Sequence, residues 1–386
     1  MKKTFIALAV VFTAFVFGQT ISVYQSRVDL VSATNINNFL SEFEALGVKT
    51  TGSTANANTL AWLKNKYSEF GYSASSIQEQ SWTQSGYTSK NLIVTKIGTG
   101  SNASKFIIVC GHFDTIVGRG TNDNGSGVAL ILELARILAT VPTDYSIKFI
   151  NFSGEEQGLL GSRAYVAGTL VPSLANTAFI LNIDEIGGVT TKANTTVTCE
   201  SDQTSAGGTA NNAPSLAITT NLATYIRNYS SLQTTMSYAY ASDYMPFEQK
   251  GYVITGLFET NETPHKHSST DLKSNMDPAY VTNITRGVVG AMQHFAGAST
   301  DPTPLSTVSA NISERVSLYP NPAQDNVNVG VDAKYFKVFI SDLTGKRVLQ
   351  SENQQNIDIS ALTNGAYILT TQIGNESVSK KLIVRK

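Results

Sequence analysis

Histidines and carboxylates recur beside apolar runs in this 386-residue chain, in the order His112-Phe113-Asp114, Asn122-Asp123-Asn124-Gly125-Ser126-Gly127, Gly154-Glu155-Glu156 and Asn182-Ile183-Asp184-Glu185. A later piece, His267-Ser268-Ser269-Thr270-Asp271, completes the series. Imidazole nitrogen mixed with carboxylate oxygen is a donor set that suits zinc, whereas magnesium and calcium prefer all-oxygen shells. The chemistry these residues support is that of a hydrolytic metalloenzyme.

Each piece has its own logic. Asp114, two residues beyond His112, is placed to accept from the ring nitrogen that does not face a metal, which fixes the tautomer. Asp123 stands in a polar loop that opens an apolar helix from about Val128, where Gly125 and Gly127 allow tight turns. A carboxylate held there can bridge two cations. Adjacent side chains diverge, so Glu156 is assigned as a ligand while Glu155 takes the proton of an attacking water as general base. Asp184 ends an apolar strand, an unusual place for an acid unless it serves a site. In Pro264-His265-Lys266-His267 both imidazoles fall on one side of an extended segment, so the pattern alone leaves His265 and His267 open. His294, the remaining histidine, lies on the closing helix and is read as a surface or core residue.

The elements that must position these groups alternate between helical period and short β-branched runs. Helices are expected over 35–46, 55–72, 128–138 and 277–295, and strands over 91–97, 106–110, 146–152 and 178–183. That alternation predicts a three-layer α/β domain over 19–298, with ligands at the carboxyl ends of its strands. Pro302 and Pro304 among Ser and Thr mark a linker over 299–310. Short strands over 316–319, 327–331, 336–340, 367–373 and 378–384, with Asn321-Pro322 and Asn364-Gly365 between them, predict a small β-sandwich over 311–386. The basic start and apolar run of 1–18 read as a signal peptide, so the mature protein is expected to be secreted or at the cell surface, exported through the periplasm. A formal net charge of -1 and 15% charged residues offer no footprint for nucleic acid. Cys110 and Cys199 are the only cysteines, and whether they pair is left open.

Taken together, the ordered motifs resemble the M28 family of zinc peptidases over about residues 28–298. The resemblance implies a mixed central sheet and two zinc ions held by His112, Asp123, Glu156, Asp184 and His267. It further implies that Asp123 bridges the ions, that His112 and Asp184 serve different ones, and that His267 rather than His265 is the ligand. Glu155 would be the catalytic base, Asp114 its companion behind His112, and the reaction removal of an N-terminal residue from a peptide or protein. Ser242-Asp243-Tyr244, followed by Pro246-Phe247, resembles the segment that lines the family's substrate pocket, with Tyr244 where many members carry His. Tyr240 joins that pocket, and Tyr238 or Tyr240 would face the oxyanion. The rivals are a glutaminyl cyclase-like acyltransferase, a carboxypeptidase on the same fold and a non-catalytic binding protein. The tail, through Leu318-Tyr319-Pro320-Asn321-Pro322, Asp342-Leu343-Thr344-Gly345-Lys346 and its basic end, resembles the C-terminal sorting domain of the type IX secretion system and implies the outer-membrane secretion machinery as partner.

Overall fold

The computed structural model describes residues 21–203, 208–239, 241–301, 316–331, 335–342, 346–373 and 376–386. They form two compact units that divide between Pro302 and Thr303. The expected leader at 1–18, the linker from residue 302 onward and Tyr240 lie outside the described residues. No helix among the described residues is long and apolar enough to cross a membrane.

The first unit is a three-layer α/β/α domain. Its strands β1 (Ile77–Gln84), β2 (Tyr87–Lys96), β3 (Phe106–His112), β4 (Ser146–Phe152), β5 (Thr177–Ile183), β6 (Thr196–Ser201), β7 (Gln233–Tyr238) and β8 (Ile254–Glu259) form one mixed sheet. Their spatial order is β1-β2-β4-β3-β5-β8-β6-β7. The centre, β4-β3-β5-β8, is parallel, and β2 and β6 flank it antiparallel. Strand periodicity assigns the two faces. Ile107 and Val109 of β3, with Phe179, Leu181 and Ile183 of β5, join the larger core. Ile108, Cys110 and Ile180 point the other way, into a smaller one with Phe152, Tyr165 and Phe247. Both faces being covered, these strands read as continuous apolar runs.

On the larger face lie α1 (Ser22–Val28), α2 (Ala33–Ala45), α3 (Thr54–Glu69), α4 (Gly125–Leu138), α6 (Asn212–Tyr229) and α8 (Pro278–Phe295). On the other lie α5 (Leu160–Ala167) and α7 (Met245–Glu248). Helix α4 is buried along its whole length except at Arg136, and each fully buried Leu, Ile or Val in it contributes about 1.5–3 kcal/mol. Its buried Glu133 is held by Arg136 at 2.7 Å and accepts the Ser32 amide at 2.7 Å, which ties down the start of α2. Cys110 on β3 and Cys199 on β6 are both buried free thiols, separated in the sheet by β5 and β8.

The second unit pairs an antiparallel three-stranded sheet with a four-stranded one, an Ig-like sandwich. The first contains β9 (Val316–Tyr319), β10 (Asn326–Val331) and β13 (Asn356–Asp358); the second contains β11 (Lys337–Ser341), β12 (Arg347–Glu352), β14 (Gly365–Ile373) and β15 (Glu376–Val384). Val327, Val329 and Val331 alternate inward along β10. Strands β12 and β13 are additions to the sequence expectation. Their polar residues hide the period, and Arg347 stacks on Phe339 at 4.0 Å in place of an apolar contact.

Candidate active site

Every motif of the first unit sits at the carboxyl end of a parallel strand or in the loop that follows it. His112 closes β3, Glu155 and Glu156 follow β4, Asp184 follows β5, and His267 lies in the loop after β8. Because β4, β3, β5 and β8 are neighbours, residues far apart in sequence meet at one sheet edge. They line a cavity of about 420 Å³ with Gly158, Leu159, Glu185, Ala241 and Lys266.

Asp123 is the centre of the arrangement. Its Oδ1 lies 3.1 Å from Nε2 of His112, and its Oδ2 lies 3.1 Å from Nε2 of His267. Nε2 of His112 is also 3.3 Å from Asp184, and Nε2 of His267 is 3.0 Å from Glu156. The donors therefore fall into a His112–Asp184 half and a His267–Glu156 half with Asp123 between them. This corrects the expected separation of His112 from Asp184: both stand at the ends of adjacent strands β3 and β5, so they face each other. His265 turns away and pairs with the Thr270 hydroxyl at 2.8 Å. His294 stacks on Tyr225 with centroids 4.1 Å apart and bonds the Tyr229 hydroxyl, a packing role.

Nδ1 of His112 lies 3.1 Å from the Asp114 carbonyl oxygen. A carbonyl only accepts, so Nδ1 carries a proton, and Nε2 is the nitrogen turned toward the acids of the cavity. The carboxylate of Asp114, 3.8 Å from that ring, does a different job from the one expected. It accepts the amides of Glu155 and Glu156 at 3.2 and 3.3 Å and the Thr51 hydroxyl at 3.1 Å. Asp114 thus sets the position of the acidic pair rather than orienting the imidazole through its side chain.

The Asn-Asp-Asn-Gly-Ser-Gly loop is a staple. Asn122 accepts the Gly187 amide at 2.7 Å and donates to Glu259 at 2.9 Å. Asn124 caps α4 through the Gly127 amide at 3.0 Å, donates to the Ile183 carbonyl at 2.8 Å and accepts the Glu185 amide at 3.3 Å. Ser126 receives the Ile186 amide at 2.9 Å. Gly125 and Gly127 form the first turn of α4 and do not take the positive φ of a tight turn. Their value is closeness: a Cβ at Gly127 would meet Asn124 Oδ1 at 2.4 Å and the Ile183 carbonyl at 2.6 Å. Beneath the loop, Asp271 accepts the amides of Asn122 and Asp123 at 2.8 and 3.0 Å. Lys49 is fully buried, donates to the Gly47 and Arg119 carbonyls and lies 3.8 Å over Phe43.

The expected substrate segment divides. Ser242 donates to Asp184 at 2.5 Å and accepts from Asn182 at 2.8 Å, so it orients the carboxylate. Tyr244 is buried and donates to Glu200 at 2.7 Å, and Asp243 is fully buried. Neither lines the cavity; at the turn into α7, Tyr244 packs into the smaller core. Ala241 lines it instead, and Tyr238 is exposed on β7. No sequence signal marked Ala241 or Leu159 as lining residues, since small and apolar side chains carry no chemical signature.

The electrostatics show a surplus of acid. Burial, then the charges of Asp123 and Asp184, pushes Glu185 up to about 10. Burial, then Asp123, pushes Glu156 up to about 8, and burial first of all raises Glu155 well above its ordinary range. Burial opposes a charged His112, yet Asp184 and Asp123 raise it well above its ordinary value. Burial also opposes the ionised form of Asp123, but hydrogen bonds from both imidazoles hold its carboxyl low. Ligand atoms of His112, Asp123 and Glu156 lie within 4.8 Å of one another, as do those of Asp123, Asp184 and Glu185. Such crowding of buried carboxylates is costly unless cations neutralise it. Nitrogen and oxygen donors converging in this way fit divalent zinc.

The model of peptidase family M28 matches residues 91–292, just over half the chain, and that of a secretion system C-terminal sorting domain matches residues 317–385. Aminopeptidase YwaD of Bacillus subtilis is 40% identical over 101 residues, 26% of this chain and 22% of that protein. The chain thus spans about a fifth of that relative's length. The LapA aminopeptidase structure of Legionella pneumophila superposes with a TM-score of 0.61 at 19% identity, covering 77% of this chain and 80% of that one. Porphyromonas gingivalis glutaminyl cyclase superposes at 0.57 and 18% identity, covering 68% and 98%. The chain belongs to peptidase family M28 and ends in a secretion system C-terminal sorting domain.

Proposed function

We propose that the chain is a secreted two-zinc aminopeptidase. The carrying observation is Asp123, whose two oxygens each meet a different imidazole, with Asp184 beside one and Glu156 beside the other. Asp123 would bridge the ions, His112 and Asp184 would hold one, and Glu156 and His267 the other. Zinc bound there supplies Lewis-acid polarisation of the scissile carbonyl and makes an attacking water more acidic.

The remaining steps belong to side chains. Glu155 lines the cavity without serving as a ligand, held through its amide by Asp114. It accepts the proton of the attacking water and returns it to the leaving amine, and its burial raises its basicity in the direction a general base needs. Ser242 fixes Asp184, Asp271 fixes the backbone of Asp123, and Asn124 fixes the following loop. The relatives named as aminopeptidases support this reading over a carboxypeptidase. The sorting domain supports passage through secretion machinery to the outside of the cell.

Glu155→Gln is expected to keep its zinc while hydrolysis of leucine p-nitroanilide falls about 100- to 10,000-fold. Near-normal turnover with full zinc would rule out Glu155 as the base. Assays on C-terminally blocked peptides, N-terminally blocked peptides and glutaminyl peptides distinguish aminopeptidase from carboxypeptidase and cyclase activity.

A further inference from the structure

The ligand set and the base leave one acid of the cavity without a task. Glu185 lines the cavity, is 9% exposed, and its Oε2 has no hydrogen-bond partner. A buried carboxylate oxygen with no partner is costly, and native sites tolerate one where a ligand completes it. The backbone is committed to this placement. Glu185 holds a φ of 45°, with its amide on Asn124 at 3.3 Å and its carbonyl accepting the Glu259 amide at 2.9 Å. A positive φ in a residue other than glycine persists only where its surroundings enforce it. An ammonium group already stands next to the carboxylate: Lys266 Nζ lies 3.7 Å from Oε1, and it also pairs with Glu262.

Resting on the aminopeptidase reading, we propose that Glu185 anchors the α-ammonium of the substrate's first residue. Distance selects that group. Carboxylate oxygens of Glu185, Asp123 and Asp184 lie within 4.8 Å of one another, so a cation on Glu185 sits beside the carbonyl being cleaved. The α-nitrogen is about 2.5 Å from its own carbonyl carbon. The side-chain ammonium of a lysine, at the end of a four-carbon stem, reaches well past that point. Lys266, which Glu262 already holds, stands beside Glu185 and stays on Glu262 when the substrate's ammonium arrives. A peptide bond inside a chain offers no such ammonium, and Glu185 thereby restricts cleavage to termini.

The test is calorimetric titration of the zinc-loaded full chain with isoamylamine and with isoamyl alcohol, its uncharged counterpart. The wild type is expected to bind the amine more tightly. Glu185→Gln should weaken the amine roughly 10- to 100-fold, the cost of one charge-assisted hydrogen bond, and leave the alcohol and the zinc content unchanged. Glu185→Asp should recover part of the loss. Lys266→Met should tighten amine binding by removing the competitor, which keeps the proposal testable should Glu185→Gln fold poorly. Unchanged amine binding in Glu185→Gln, or loss of zinc from it, would overturn the assignment, the second outcome marking Glu185 as a metal ligand. Leucine p-nitroanilide is assayed alongside. A wild type that fails to cleave it sinks the aminopeptidase reading, while the contrast between amine and alcohol still reports on Glu185.

Discussion

The sandwich of the second unit is packed with Val327, Val329, Val338, Ile340, Leu369 and Leu382, and Thr371 is its one buried polar side chain among the described residues. The first unit buries His112, Asp114, Asp123, Glu200, Asp243, Glu259 and Asp271 within the same fold that buries α4. A core of apolar contacts contributes through close packing. A core that holds ionisable groups in low dielectric costs stability, and retains them because hydrogen bonds and bound cations offset the expense. The difference is one of content: in the first unit buried acids line a cavity, and among the described residues of the second no buried side chain is an acid or a base.

That contrast can be broken most severely from the tail. Leu369→Ala removes a fully buried side chain and is expected to destabilise the sandwich by about 2–5 kcal/mol. Denaturant unfolding followed by hydrogen exchange in peptides of the second unit measures it, and turnover on leucine p-nitroanilide should not change. A fall in turnover would show that the two units are energetically coupled.

In the first unit the corresponding experiment is a pH scan. Burial raises the Glu200 carboxyl to about 7, against the lowering effect of the Tyr244 hydroxyl bond. Below its unfolded pKa near 4.5 the group is protonated in both states; between there and about 7 the folded state binds more protons, so stability falls as pH rises. The loss across that window is roughly 3 kcal/mol. Glu200→Gln should flatten it. An unchanged slope in the variant would assign the pH dependence elsewhere.

A smaller and more local effect is expected at Asp271. Replacing it with Asn leaves only one oxygen for the amides of Asn122 and Asp123, and zinc affinity measured against a competing chelator should fall about tenfold or more. An affinity equal to wild type would mean that the Asp123 loop holds its shape without this support.

Much of the site was legible because chemistry leaves marks in sequence. His112, Asp184 and Glu155-Glu156 each terminate apolar runs that could only be buried strands, and acids at such places have no packing reason to exist. The choice between His265 and His267 was not legible, since both share one side of an extended segment and only the loop after β8 turns one inward. Tyr244 was misread for the opposite reason: its motif marks a turn near the pocket, but the aromatic ring packs behind that turn against the smaller core. The main-chain role of Asp114 was hidden as well, because amide partners are invisible in a string of side chains. At the level of fold, the parallel centre followed from apolar runs, whereas β6, β7 and α6 carry Thr, Ser and Asn in place of a clear period.

The most direct test is the zinc content of the purified full chain and of Asp123→Ala after exhaustive dialysis. Two ions per wild-type chain and the loss of both, or of all but a weakly held one, in the variant are expected of a carboxylate that joins two imidazole-bearing halves. One ion per chain, held equally well without Asp123, would contradict the bridge and the two-zinc mechanism with it.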